Sequence, residues 1–242
     1  MYNCSAKTIK RHLDKFEVTP LSEFASHANI LMDTTYWGKN FGVMVFKDSI
    51  SRDILYKQYV TRETNKLYYQ GIEEISRRGI QIQSIVCDGR KGLLQMFPNI
   101  PVQMCQFHQV QIVTRYLTKR PKSNASKALR AISLILSKTT KNEFIASLDT
   151  WYKEWEWYLK ERSKSTITGK SFYTHKRLRS AYFSLRRNIP YLFVFEDYAS
   201  LGMHNTTNAL DGIFSDLKQR LRSHNGLSLA RKKRFIDGFF KA

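Results

Sequence analysis

Residues 79–88 read Gly-Ile-Gln-Ile-Gln-Ser-Ile-Val-Cys-Asp, and their interpretation decides the fold. The segment alternates apolar and polar at first and then runs apolar through Ile85-Val86-Cys87. That pattern predicts a strand that becomes buried on both faces towards its end. Upstream the period changes. Leu67, Tyr68, Ile72 and Ile75 recur at helical spacing between Arg62 and Arg78, and Gly79 follows as a C-terminal stop. Three strand candidates come before that helix: Ala28-Asn-Ile-Leu-Met-Asp33, Gly42-Val-Met-Val-Phe-Lys47 and Ile54-Leu-Tyr-Lys-Gln-Tyr-Val60. Their short polar linkers, including a turn over Thr34–Asn40, fit an antiparallel meander. Downstream, Arg90–Phe97 predicts a short helix, Pro101–Cys105 a short strand, and Gln106–Lys119 a helix stopped by Pro121.

The rest of the chain reads as helix. Ala128, Leu129, Ile132, Ile135 and Leu136 mark one helix. Phe144, Leu148, Trp151, Tyr152 and Trp155 mark a second, which continues to Leu159. Ser163–Lys170 is a polar connection to a third helix over His175–Arg187. A last helix carries Leu210, Phe214, Leu217 and Leu221 as its buried stripe, with Thr206 or Thr207 as cap and Asp211 at the stripe's edge. A meander followed by strand–helix units is the layout of an α/β fold of ribonuclease-H-like type, a mixed sheet flanked by helices. In this reading an all-α insertion precedes the last helix. The implied segments are 1–19, a core over 20–121, a helical insertion over 122–200, and a return to the core over 201–242.

Composition narrows the function. The 242 residues carry 40 Lys and Arg against 20 Asp and Glu, a formal net charge of +20, and 42% of them are hydrophobic. Such a chain can build a core, and its charge calls for a polyanion, nucleic acid first. The longest apolar run, Tyr191–Phe195, is far short of a membrane span, and the first residues carry no apolar signal segment. Cys4, Cys87 and Cys105 make no disulfide framework and suggest a reducing, cytoplasmic compartment. Near the start, Ser5 can cap a helix that places Ile9, Leu13 and Phe16 on one face and Lys7, Lys10, Arg11 and Lys15 elsewhere, with Pro20 ending the segment. This is either the recognition helix of a helix-turn-helix or a plain basic amphipathic helix.

Against that charge, acids at the ends of apolar strands stand out. Asp33 ends the first strand and Asp88 ends the decisive one, while Asp211 sits on the last helix. Neighbouring strands would bring the first two carboxylates together, and the third would complete a site. Three clustered carboxylates require a cation, and hard oxygen ligands favour Mg²⁺ or Mn²⁺. Two such ions about 3.5–4 Å apart serve phosphodiester chemistry. Each acid alone also fits a turn, a cap or a surface position. Cys105-Gln-Phe-His108 is half of a zinc site without its other half, a pair that supports the acidic site, or a buried Cys before a helix-start His. Trp151, Trp155 and Trp157 read as core or interface, and Trp37, close to Asp33, as the tryptophan that approaches DNA.

Four blocks in order carry a family likeness: Asp33-Thr-Thr-Tyr-Trp-Gly38, Val86-Cys-Asp-Gly89, Cys105-Gln-Phe-His-Gln109 and Thr206-Thr-Asn-Ala-Leu-Asp-Gly212. They resemble the motif blocks of bacterial insertion-sequence transposases of the Mutator-like type, within the DDE superfamily. The resemblance implies metal-dependent strand cleavage and strand transfer at element ends. It implies Asp33, Asp88 and Asp211 as catalytic residues holding two Mg²⁺ or Mn²⁺ ions, with Cys105 and His108 in support. DNA contacts would come from Lys7, Lys10, Arg11, Trp37, Lys176, Arg177, Arg179, Arg186 and Arg187. The implied partners are terminal inverted repeats, target DNA and further copies of the chain in a dimer or higher oligomer, at the bacterial nucleoid and not at a membrane. Two departures stand out. The family's third acid is usually Glu, one methylene longer than Asp211. The zinc ribbon and complete helix-turn-helix that usually precede the catalytic domain are reduced to the stretch 1–19, which implies a shortened N-terminus. The competing readings are a decayed transposase that only binds DNA, and a structure-directed nuclease on the same fold.

Overall fold

The computed structural model describes residues 5–15, 25–224 and 226–240. Cys4, Phe16 and the stop at Pro20 lie outside the described residues, as do the side chains of Ala6 and Leu13. The chain divides into two compact units, Met1–Ile85 with Thr207–Ala242, and Val86–Thr206. In chain order the elements are α1 (Ala6–Lys15), β1 (His27–Tyr36), β2 (Gly42–Asp48), β3 (Ile54–Val60), α2 (Asn65–Arg77), β4 (Gln81–Cys87), β5 (Val102–Met104) and α3 (Gln106–Leu117). They continue as α4 (Asn124–Leu134), α5 (Lys141–Lys160), β6 (Arg162–Lys164), β7 (Ser171–Tyr173), α6 (Lys176–Leu192), α7 (Val194–Asp197), α8 (Asn208–Arg222) and α9 (Leu229–Phe240). The main strands follow the order β3-β2-β1-β4-β5.

In the first unit, β1, β2 and β3 form the expected antiparallel meander, with Asp33 opposite Val45 and Met44 opposite Gln58. β4 joins β1 in the parallel sense. The Gln81 N–H donates to the Ser26 carbonyl at 2.8 Å and the Ser84 hydroxyl to Asn29 Oδ1 at 2.5 Å, so both chains advance together. Asn29, Ser84 and Asp48 are buried polar groups that satisfy one another, with Asp48 Oδ1 accepting from the Asn29 N–H. Around them Ile30, Leu31, Met32, Val43, Met44, Val45 and Phe46 are fully buried, as continuous apolar strand runs require. β1 does not end at Asp33. Thr34, Thr35 and Tyr36 are good strand formers and pair with Met44, Val43 and Gly42, so the turn is confined to residues 37–41.

α2 starts at its Thr64 cap, whose hydroxyl accepts from the Leu67 N–H, and stops at Gly79, whose φ of +82° suits glycine alone. On the helix's inner side Gly71 leaves room for the Phe46 ring, which also meets the rings of Tyr56 and Tyr68. α9 packs on α1 and α8, and Asp237 on α9 accepts from Lys57 and from the Tyr59 hydroxyl on β3. Asp14 on α1 pairs with Arg231 and Arg234 of α9.

In the second unit, β5 lies beside the end of β4, with the Cys105 N–H donating to the Cys87 carbonyl at 2.7 Å. Residues 91–95 form turns in place of the short helix expected over 90–97. Gly92 takes φ +81°, which interrupts helical geometry, while Leu93, Leu94 and Phe97 are still buried. α3 packs on α6 and α4, and α5 packs on α4 and α6. A complete capping box at Thr140 and Glu143 opens α5. The all-α insertion needs correction: Ser163–Lys170 belongs to a short antiparallel hairpin, β6–β7. Its strands are three residues long, too short for a periodic signal, and are held by Arg162 over the Tyr173 ring at 4.5 Å. Trp151 is core, stacked on Tyr182 at 5.2 Å, whereas Trp157 is exposed.

Candidate functional site

In the first unit Asp33 lies within β1, half-buried, and its Oδ1 accepts from the Thr34 N–H at 2.8 Å. Asp211 lies in the first turn of α8, a helix that packs on β1. Leu210, Phe214, Leu217 and Leu221 bury the stripe that orients this helix, so Asp211 sits at its edge, as expected. One carboxylate oxygen, Oδ2, is buried and accepts no hydrogen bond from the described residues. A buried carboxylate oxygen without a donor is costly, and the positive end of the helix offsets part of that cost.

Sequence reasoning missed the groups beside Asp33. The Tyr68 hydroxyl, on the buried face of α2, donates to Glu63 and lies 3.0 Å from the Thr34 hydroxyl. Burial, then the carboxylates of Glu63 and Asp33, push the phenol well above its ordinary value, so Tyr68 stays a neutral donor at every working pH. The helical period marks Tyr68 as core, but nothing local shows that it links Glu63 to the strand carrying Asp33. Tyr68→Phe keeps the ring and is expected to cost about 1.5 kcal/mol in urea unfolding, because a hydrogen bond to a charged acceptor is lost. A change below about 0.5 kcal/mol would show that the hydroxyl does not hold this corner.

Trp37 is half-buried against Phe41, with its indole N–H buried and unpartnered among the described residues. It lines a cleft of about 340 Å³ with Lys218, Arg222 and Lys232. Lys7, Lys10 and Arg11 are exposed on α1, and so is Ile9, which was expected on the apolar face.

In the second unit Asp88 directly follows β4, and its Oδ1 accepts from the Arg90 N–H at 3.2 Å in a tight turn. Cys105 is fully buried at the start of α3, one turn before His108, whose ring meets Phe107 edge-on. The start of α3 is fixed by buried amides: Gln103 and Gln106 both donate to the Leu192 carbonyl, and Gln109 donates to Ser184. The basic residues of α6 divide. Arg186 pairs with Asp149, Arg179 lies over Tyr173 at 4.0 Å, and Lys176 lies over Phe172 at 4.6 Å. Arg177 and Arg187 line a cleft of about 930 Å³ together with Arg90, Lys91 and Arg115.

Among the described residues no group of three or more His, Cys, Asp and Glu side chains is arranged to hold a metal ion. The donor chemistry still suits a hard dication, because Asp211 offers a buried oxygen with no hydrogen-bond donor among the described residues. No helix among the described residues is long and apolar enough to cross a membrane.

No curated protein matches the chain. Among solved structures it is similar to the Drosophila P element transposase strand transfer complex, at 12% identity and a TM-score of 0.41, over 98% of this chain and 85% of that one. The family model described as "Transposase, Mutator family" matches residues 42–182, a span from β2 into α6 that makes up more than half of the sequence. By that match the chain belongs to the Mutator family of transposases.

Proposed function

We propose that this chain is a DDE-type transposase on a ribonuclease-H-like core, which cuts DNA at insertion-sequence ends and joins the ends to target DNA. The observation that carries the reading is the buried, unsatisfied Oδ2 of Asp211, on a helix packed against the strand of Asp33. Asp33, Asp88 and Asp211 would hold two Mg²⁺ or Mn²⁺ ions, which when bound activate an attacking oxygen and stabilise the leaving one. The chain's own residues set the geometry. Asp33 is held by the Thr34 amide and Asp88 by the Arg90 amide, so each keeps a fixed carboxylate orientation. Cys105 and His108 support the site from the start of α3.

In the first step a water oxygen bonds to phosphorus and the 3′-oxygen of the element end leaves with a proton. In the second, that 3′-hydroxyl attacks a target phosphorus, and the target strand's own 3′-oxygen departs. The partners in this reading are terminal inverted repeats and target DNA, and the chain acts as a dimer or larger assembly at the bacterial nucleoid.

The test is nicking and strand transfer on DNA carrying the element ends, with Mg²⁺ or with chelator. Asp33→Asn, Asp88→Asn and Asp211→Asn are each expected to lower cleavage to below about one-hundredth, since a lost metal ligand costs more than a lost outer contact. Cleavage that survives chelator, or all three substitutions, would remove the assignment. Salt-sensitive DNA binding without any metal-dependent cleavage would leave only a DNA-binding protein.

A further inference from the structure

We infer that the second unit carries a continuous track for the phosphodiester backbone of DNA, built from two clefts that join at Tyr116 and Arg177. The inference rests on the transposase reading above and adds where the DNA lies within this unit. The first cleft, about 930 Å³, presents Arg90, Lys91, Arg115, Arg177 and Arg187. The second, about 540 Å³, adds Arg120, Lys122 and Lys176. Tyr116 and Arg177 line both. No Asp or Glu is among the described residues lining either cleft. Elsewhere on this unit Arg186 pairs with Asp149 and Lys160 with Glu156. No described carboxylate therefore lines the track beside Arg115, Arg120, Lys122, Arg177 and Arg187.

Several features hold the cations in place. The Arg177 guanidinium donates to the Arg115 carbonyl at 2.7 Å, which fixes the junction. Lys176 rests over Phe172 at the far end. Gln95 donates to the Tyr191 hydroxyl across the first cleft. The near end begins at Gly89 and Arg90, immediately after Asp88 in the chain. A small anion would need one guanidinium pair. Cations spread over two joined clefts suit a run of phosphates, and the exposed Tyr116 ring offers a face on which a base can stack. The residues come from three separate stretches of sequence, and the family resemblance points only to Lys176, Arg177 and Arg187 among them.

The test uses the full chain, a fluorescent oligonucleotide of arbitrary sequence and chelator, so that cutting plays no part. Three double variants each remove two charges: Arg115→Gln with Arg187→Gln, Arg120→Gln with Lys122→Gln, and, as control, Lys138→Gln with Lys153→Gln on exposed positions outside the track. Each track pair is expected to lower the log–log salt slope by about 2 and affinity at ~0.15 M salt about tenfold, against little change in the control. Thermal melts check that all three are folded. Track pairs that bind like the control pair overturn the proposal. So does an oligoglutamate of equal charge that competes as well as DNA, since that assigns the track to an acidic protein. Metal-dependent cleavage by wild type with unchanged binding in the track pairs removes the track alone. Lost binding in the track pairs, in a wild type that never cleaves, keeps the track and removes the catalytic reading.

Discussion

Asp211→Asn is expected to melt higher than wild type in chelator while losing cleavage in magnesium. Two terms of opposite sign decide the first outcome. Removing a negative charge whose buried oxygen has no donor among the described residues relieves a desolvation cost of about 1–3 kcal/mol. Losing that charge from the first turn of α8 forfeits about 0.3–1 kcal/mol of favourable interaction with the helix's positive end. The balance is a gain of about 1 kcal/mol, or about 2–4 °C for a chain of this size. Magnesium reverses the order. Wild type is stabilised by ligand binding, by about 2.7 kcal/mol at a hundredfold excess over Kd, and the variant lacks one ligand. Differential scanning fluorimetry with and without magnesium reads both. A variant less stable than wild type in chelator, or one with an undiminished magnesium response, contradicts a cation site at this carboxylate.

Gly71→Val is expected to be strongly destabilising for the first unit. A Cβ at position 71 would lie 2.1 Å from the Phe46 Cζ. Phe46 is fully buried and is held between the rings of Tyr56 and Tyr68, so it has nowhere to retreat. Overpacking of this kind costs about 3 kcal/mol and outweighs the small gain in helix propensity from replacing glycine. Because Tyr68 is one of the displaced rings, the contact with Glu63 and Thr34 beside Asp33 should loosen as well. Urea unfolding measures the loss, and a value under about 1 kcal/mol would mean that Phe46 can be repacked. Phe46→Leu with Gly71→Val should recover part of the loss, as expected for contacting residues.

Much of the fold was legible because local pattern reports local burial. The apolar runs of β1 and β2, the faces of α2 and α8, and the stop at Gly79 all follow from partition between core and water. The errors fall where that signal is weak. Thr34-Thr-Tyr36 looked like a turn because it follows a carboxylate, but cross-strand pairing with β2 draws it into the sheet. Leu93, Leu94 and Phe97 mimic a helical face while Gly92 bends the chain out of helix. The β6–β7 hairpin is too short to alternate visibly.

The same divide runs through the site. The sequence by itself determined the strand and helix that carry Asp33 and Asp211 and an excess of positive charge, because these depend on residue type and spacing along the chain. Only the tertiary structure decided what each side chain meets. It placed Glu63 and Tyr68 beside Asp33, left one oxygen of Asp211 unsatisfied, and neutralised Arg186 with Asp149 and Arg231 with Asp14. It also gathered Arg90, Arg115 and Arg187 into one cleft. Except for Glu63 and Tyr68, those partners lie tens to hundreds of residues apart, and a charge's worth depends on its neighbours and its solvent, which chain crossings set and spacing does not.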